Sequence, residues 1–164
     1  MEKIHQMIVA RARENNVKFN AAKLQFMQTE VKYLGKIFSQ DGVECDPERL
    51  RALLEMDAPQ GRKELMSRLG MFNYVRDFIP NMSSVIACLR ELLKKDVSYQ
   101  WLETHKEAWE KLKKALGENT KLATFDIRKP LVLQCDSSQS GVGFCLMQEK
   151  RPIAFGSKSL NESQ

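Results

Sequence analysis

Apolar positions set the first expectations. Ile4, Ile8, Val9 and Ala12 recur at helical spacing, which predicts a helix over residues 3–14 closed by Asn15-Asn16. Leu24 and Phe26 in KLQF share one face of an extended run. EVKYLGKIFS then alternates Val31, Tyr33, Gly35 and Ile37 against Lys32, Leu34, Lys36 and Phe38. The intervening MQTE predicts a hairpin between the two runs, with Gly35 as a mid-strand bulge or a point of close backbone approach. QDG marks a further turn. Asp46-Pro47 opens a helix whose core row is Leu50, Leu53 and Leu54, and DAPQG reads as a linker.

The longest amphipathic pattern covers residues 62–79, with Leu65, Leu69, Phe72, Val75 and Ile79 on one side. The opposite side carries Lys63, Ser67, Gly70 and Tyr74: one charge, two small residues and an aromatic. After Pro80, Ser83 or Ser84 is expected to cap a helix through Leu93, with Ile86, Leu89 and Leu93 as its buried row. VSYQW alternates like a short strand. In THKEAWEKLKKALGEN, Thr104 and Glu107 form a capping-box pattern, Gly117 takes the C′ position, and Trp109, Leu112 and Leu116 form the core row. Strand-like runs at 131–136, 142–148 and 152–157 complete an α+β pattern.

Composition narrows the class. The chain has 164 residues, 43% hydrophobic and 29% charged, enough for a packed core in one domain or a few subdomains. No run approaches the length of a membrane helix and the N-terminus lacks a signal-peptide core, so an intracellular chain, cytoplasmic or nuclear, is expected. Cys45, Cys88, Cys135 and Cys145 form no C-x-x-C pair, which argues for reduced thiols and against structural zinc. Of the net charge of +5, the stretch from Gln60 to Lys95 supplies +4: Arg62, Lys63, Arg68, Arg76, Arg90, Lys94 and Lys95 against Glu64, Asp77 and Glu91. Such an excess suits phosphate contact or forms an ordinary solvated helical face.

Four stretches, in order, resemble one family. VKFNAAKLQFMQTEVKYLGKIFSQDGVECDPERLRALLEM resembles the end of the palm in reverse transcriptases of gypsy-class LTR retrotransposons. GRKELMSRLGMFNYVRDFIPN resembles their thumb helix. YQWLETHKEAWEKLKKAL is similar to the segment leading into their RNase H-like domain. LVLQCDSSQSGVGFCLMQEKRPIAFGSKSLNESQ is similar to the start of that domain. The resemblance covers nearly the whole chain. It implies a palm β-hairpin in residues 1–57 and thumb helices in 58–95. Residues 96–164 would hold a connection and the first half of an RNase H-like unit opening with a three-stranded antiparallel meander.

The same resemblance implies the candidate chemistry. Asp136 stands where the family carries its first nuclease carboxylate, and Mg²⁺ is the implied cofactor, two ions serving an in-line displacement. The Y-x-D-D polymerase hairpin would precede this chain and the other nuclease ligands would follow it. The chain alone is therefore expected to be inactive and to hold no Mg²⁺ tightly. Gly141 and Gly143 are expected to leave room for metal beside Asp136. Lys63, Ser67, Arg68, Gly70, Asn73 and Tyr74 would contact an RNA–DNA hybrid or DNA duplex, and Tyr33, Leu34 and Gly35 resemble a primer grip. The remainder of a polyprotein, or another subunit, is the second implied partner; no small-molecule substrate is.

From pattern alone, the favoured readings are Asp136 as an Asx-turn residue and Ser67 and Gly70 as helix-packing positions. The meander's open edge is expected to need a partner, with the helix 105–116 covering one face. Three roles stay open: part of a longer reverse transcriptase/RNase H, a domesticated non-catalytic binding or interaction module, or a decayed copy. Intact caps, helix stripes and strand alternation weigh against the last.

Overall fold

The computed structural model describes residues 2–138 and 141–160. Helix α1 (Glu2–Glu14) and a 3₁₀ turn (Ala21–Lys23) precede a hairpin of β1 (Val31–Tyr33) and β2 (Lys36–Ser39). There follow β3 (Gly42–Cys45), α2 (Pro47–Leu54), α3 (Arg62–Tyr74), a 3₁₀ turn (Arg76–Phe78), α4 (Met82–Val85) and α5 (Ala87–Glu91). The chain continues with α6 (Glu103–Glu118), β4 (Lys121–Leu122), β5 (Val132–Ser138), β6 (Gly141–Gln148) and β7 (Arg151–Ser159). Two antiparallel sheets result, ordered β1-β2-β3-β4 and β5-β6-β7. The fold is α+β, and the expected three-stranded meander forms.

The N-terminal strands depart from expectation. KLQF is not a strand. The Gln25 side chain instead takes both hydrogen-bonding positions of a strand partner, accepting from the Lys32 N–H and donating to the Lys32 carbonyl, each at 2.7 Å. One polar side chain replaces a ladder there, although the alternation of KLQF reads as a strand. EVKYLGKIFS is two strands, not one. Leu34 and Gly35 have φ of 49° and 71°, the paired left-handed conformation of a two-residue type I′ hairpin turn. Tyr33 faces Lys36 across it.

Asp46 caps α2 as expected, accepting from the Glu48 N–H at 3.2 Å with Pro47 at the first turn. Its other carboxylate oxygen lies 2.7 Å from Lys32 Nζ. That hydrogen bond, ahead of the desolvation opposing it, holds the Asp46 carboxyl below its ordinary pKa and raises that of Lys32.

Leu65, Leu69 and Phe72 of α3 are buried as predicted, but the helix stops at Tyr74 instead of running to residue 79. Val75 and Ile79, on either side of the Arg76–Phe78 turn, are buried with them, and all five join Trp109, Leu112 and Leu116 of α6 in one cluster. That cluster extends from Cys45 to Leu122 and draws in α2, α4 and α5. DAPQG is packed: Pro59 is fully buried and its carbonyl accepts from the Tyr99 hydroxyl at 2.7 Å. VSYQW forms no strand, because its groups are spent elsewhere. The Val97 carbonyl accepts from the Arg62 guanidinium, and the Tyr99 and Trp101 rings stack with centroids 6.3 Å apart.

Neither Ser83 nor Ser84 is a helix cap. Asn81, at φ 48°, starts α4, and the helix restarts at Ile86. Ser83 is buried and its N–H donates 2.9 Å to the Ser157 hydroxyl of β7. At α6 the cap lies two residues earlier than expected. The Leu102 N–H donates to His105 Nδ1 at 3.0 Å, and Gly117 sits within the helix, which ends at Asn119. Imidazole can accept the bond that a capping-box Glu would, a substitution the Thr104–Glu107 spacing conceals. Helix α6 packs on α2, α4 and α5; the β5-β6-β7 sheet is met instead by the Arg76–Phe78 turn and α4. Strand β5 is exposed along its whole length and, among the described residues, pairs on one side only, the open edge that was expected.

Candidate nucleic-acid interface

Burial of Leu65, Leu69 and Phe72 fixes the rotation of α3, and so turns Lys63, Ser67, Gly70 and Tyr74 to the outside. Asn73 is exposed on the flank of the same face. A Cβ built on Gly70 meets no atom within 4 Å. Gly70 therefore does not hold a second helix close, which removes the packing explanation for this glycine within the described chain. Arg68 does not join the face. Its guanidinium donates to the Asp57 carbonyl and the Glu64 carboxylate, and its side chain is only 17% exposed.

The hairpin turn and α3 meet. The Tyr74 hydroxyl donates to the Leu34 carbonyl, and the Arg49 guanidinium lies 4.7 Å from the Tyr74 ring centroid. Tyr74 thus fastens the turn, so its own proton is not offered outward. Arg49 also fills the space over Gly35, where a side chain would collide with its guanidinium. One turn further on, Lys36 Nζ pairs with Asp77 at 2.8 Å and lies over the Phe78 ring at 5.6 Å. These contacts bring Tyr33, Leu34 and Gly35 beside the exposed face of α3, with Tyr33 and Leu34 themselves exposed. Arg49 is the linking residue that sequence reading missed. It lies in the first turns of α2, where a lone Arg carries no motif signal.

Asp136 lies on β5 opposite Gly143 of β6. Directly opposed residues project to one sheet face. On that face the Asn81 side chain occupies the position a Cβ of Gly143 would take, and the Lys158 carbonyl crowds that of Gly141. The two glycines therefore admit a neighbouring segment and a neighbouring strand, and Gly143 also lines the cavity beside Asp136. Asp136 is exposed and lines a cavity of about 520 Å³ with Pro80, Asn81 and Gln134; it is the one carboxylate among the described residues lining it. No group of three or more His, Cys, Asp or Glu side chains able to hold a metal occurs among the described residues. The donors present do not fit a two-ion site by themselves. Gln139 and Ser140 lie outside the described residues. Cys135 and Cys145 are sheet residues, and burial pushes the Cys145 thiol up, away from thiolate chemistry.

No helix among the described residues is long and apolar enough to cross a membrane. Residues 101–164 match the family model of the RNase H-like domain found in reverse transcriptase. The chain is 33% identical over 162 residues, 96% of its length, to the Transposon Tf2-3 polyprotein of Schizosaccharomyces pombe, and equally to the Tf2-4 polyprotein of the same organism. It spans 12% of the length of those relatives. The foamy viral protease-reverse transcriptase solved in complex with dsDNA superposes with a TM-score of 0.70 at 28% identity, covering 83% of this chain and 29% of that one. The same enzyme solved with an RNA/DNA hybrid gives the same TM-score and identity, with 19% of that chain covered.

Proposed function

We propose that this chain, whose residues 101–164 match the family model of the RNase H-like domain found in reverse transcriptase and which is 33% identical to retrotransposon polyproteins along 96% of its length, seats an RNA–DNA hybrid or DNA duplex on the outer face of α3. In this reading residues 1–57 are the end of a palm, 58–95 a thumb and 96–164 a connection with the first half of a nuclease unit. The rest of a polyprotein supplies the catalytic residues. The observation that carries the reading is the open position at Gly70, between exposed Lys63, Ser67 and Tyr74. A helix face without bulk admits a close surface, and a lysine at its start meets phosphate. Tyr33 and Leu34, fastened beside it through Tyr74, would border the same strand as a grip.

Gly70 separates the reading from a structural role by sign. Gly70→Ala is expected to raise stability by about 0.5–1 kcal/mol, because a helix interior gains from losing a glycine and the methyl meets nothing. Gly70→Leu is expected to keep the fold and weaken hybrid binding by about tenfold or more, roughly 1.4 kcal/mol. Fluorescence anisotropy with a labelled RNA–DNA hybrid, beside thermal melts, reads both. The unmodified chain should show a log K against log salt slope of about −2 to −4. Unchanged affinity in Gly70→Leu would remove α3 as the seat.

As it stands, the chain is expected to leave an RNA–DNA hybrid uncut in Mg²⁺, since Asp136 lines its cavity as a solitary carboxylate. A gel assay decides this. Cleavage that disappears in Asp136→Asn would show that the site is complete after all.

A further inference from the structure

We propose that the cleft between the end of α3, α5 and strands β6 and β7 is a second phosphate-binding site, gripping the backbone of the duplex seated on α3. The proposal rests on that seating and extends it. The cleft has a volume of about 630 Å³ and is lined by Arg76, Arg90 and Lys158, with no carboxylate among the described residues lining it. All three cations are exposed. The acids that follow the two arginines in sequence are neutralised elsewhere. Asp77 pairs with Lys36 at 2.8 Å, on the side of the β1–β2 hairpin, and Glu91 pairs with Lys94. Arg90 is oriented by a 3.0 Å hydrogen bond from its Nη1 to the Ser159 hydroxyl, which leaves its remaining donors free to take an anion. Arg76 and Lys158 have neither an ion pair nor a side-chain hydrogen bond among the described residues.

Three uncompensated cations around one concave surface raise the local potential and attract a polyanion. They come from three separate elements, and folding alone brings them together. The cleft also continues the α3 face, because Asn73 belongs to both: it flanks Gly70 on the helix and lines the cleft. A strand leaving α3 past Asn73 would enter the ring of cations. The Ser159 hydroxyl on the same wall accepts from Arg90 and keeps its proton for a phosphate oxygen, whereas the Ser157 proton is given to the Ser83 hydroxyl.

The test compares three double variants of the full chain by anisotropy on one RNA–DNA hybrid across a salt series. Arg76→Glu/Lys158→Glu alters the cleft, Lys63→Glu/Gly70→Leu alters α3, and Lys111→Glu/Lys114→Glu reverses the same charge on the outer face of α6. The cleft variant is expected to bind about tenfold or more weakly at moderate salt, with a slope shallower by about 2, one unit for each phosphate that is no longer neutralised. The α6 variant should stay within about twofold of the unmodified chain. Arg76→Lys/Lys158→Arg should restore the affinity, and melts should show the cleft variant folded. Equal weakening in the cleft and α6 variants would reduce the effect to bulk charge and overturn the site. A cleft variant that binds like the unmodified chain, beside a weakened α3 variant, would overturn the cleft and leave α3 standing. If neither variant weakens binding, both the cleft and the α3 seat are wrong.

Discussion

Trp109→Ala is expected to cost about 3–5 kcal/mol, a large share of the roughly 5–15 kcal/mol that holds a domain folded. Trp109 is 1% exposed and stands at the centre of the helical core. Its ring meets Phe72 edge-on, centroids 5.3 Å apart and planes at 75°, and Trp101 at 6.5 Å. Phe72 is on the buried side of α3, so the indole is what fixes the rotation of the helix whose other side carries Lys63 and Gly70. Removing it leaves a cavity on which neither α3 nor α6 can close without moving its partner. The urea midpoint should fall by about 2 M, and hybrid affinity should fall with it. Trp109→Phe makes the comparison sharper. The indole N–H is buried with no hydrogen-bond partner among the described residues, a cost of about 1–3 kcal/mol that phenylalanine removes while keeping most of the ring packing. That variant should lose less than half as much. A midpoint shift below about 0.5 M for Trp109→Ala would mean that the α3–α6 contact does not set the position of α3.

What the sequence disclosed follows from how each feature is encoded. The rows Leu65–Phe72 and Trp109–Leu116 read directly, because a buried helix face repeats every three or four residues. Val75 and Ile79 continue that spacing through a 3₁₀ turn, which hid the end of α3 at Tyr74. The three long C-terminal strands read equally well, since alternation over seven to nine residues is hard to mistake. Short features failed where one side chain does the work of an element. Gln25 stands in for a strand, and His105 stands in for a capping Glu. The Leu34-Gly35 turn was hidden by continuous alternation across it, although a two-residue reversal at a glycine is a known hairpin solution. The candidate interface was legible on α3 alone. Its ties to Leu34 through Tyr74, and the meeting of Arg76, Arg90 and Lys158, are long-range contacts between residues with no shared local pattern. Arg68 failed for the converse reason: the sequence counts its charge, but folding spends it on Glu64 and the Asp57 carbonyl.

Gly42→Ala should show the same substitution acting with the opposite sign to Gly70→Ala. Gly42 begins β3 at φ 146°, a conformation that L residues rarely adopt. A methyl there would fall on the carbonyl oxygen of Leu122, deep inside van der Waals contact and against backbone that cannot rotate away. Backbone strain of about 1–3 kcal/mol and a similar cost of overpacking add to about 3 kcal/mol or more. The damage would not stay local. Val43 pairs with Leu122 and Glu44 with Lys121, and the Cys45 N–H donates to the Thr120 carbonyl at 3.0 Å. Through these bonds β4, the strand directly after α6, closes the N-terminal sheet, and Leu122 is itself buried in the helical core. Pushing β4 away therefore loosens the joint between the hairpin that borders α3 and the helix that supports it. Paired melts settle the matter: Gly70→Ala should melt above the unmodified chain and Gly42→Ala well below it. If Gly42→Ala melts within a degree or two of the unmodified chain, the β3–β4 pairing is not part of what holds the two halves together, and the geometry of the duplex seat must be fixed by Trp109 and the core alone.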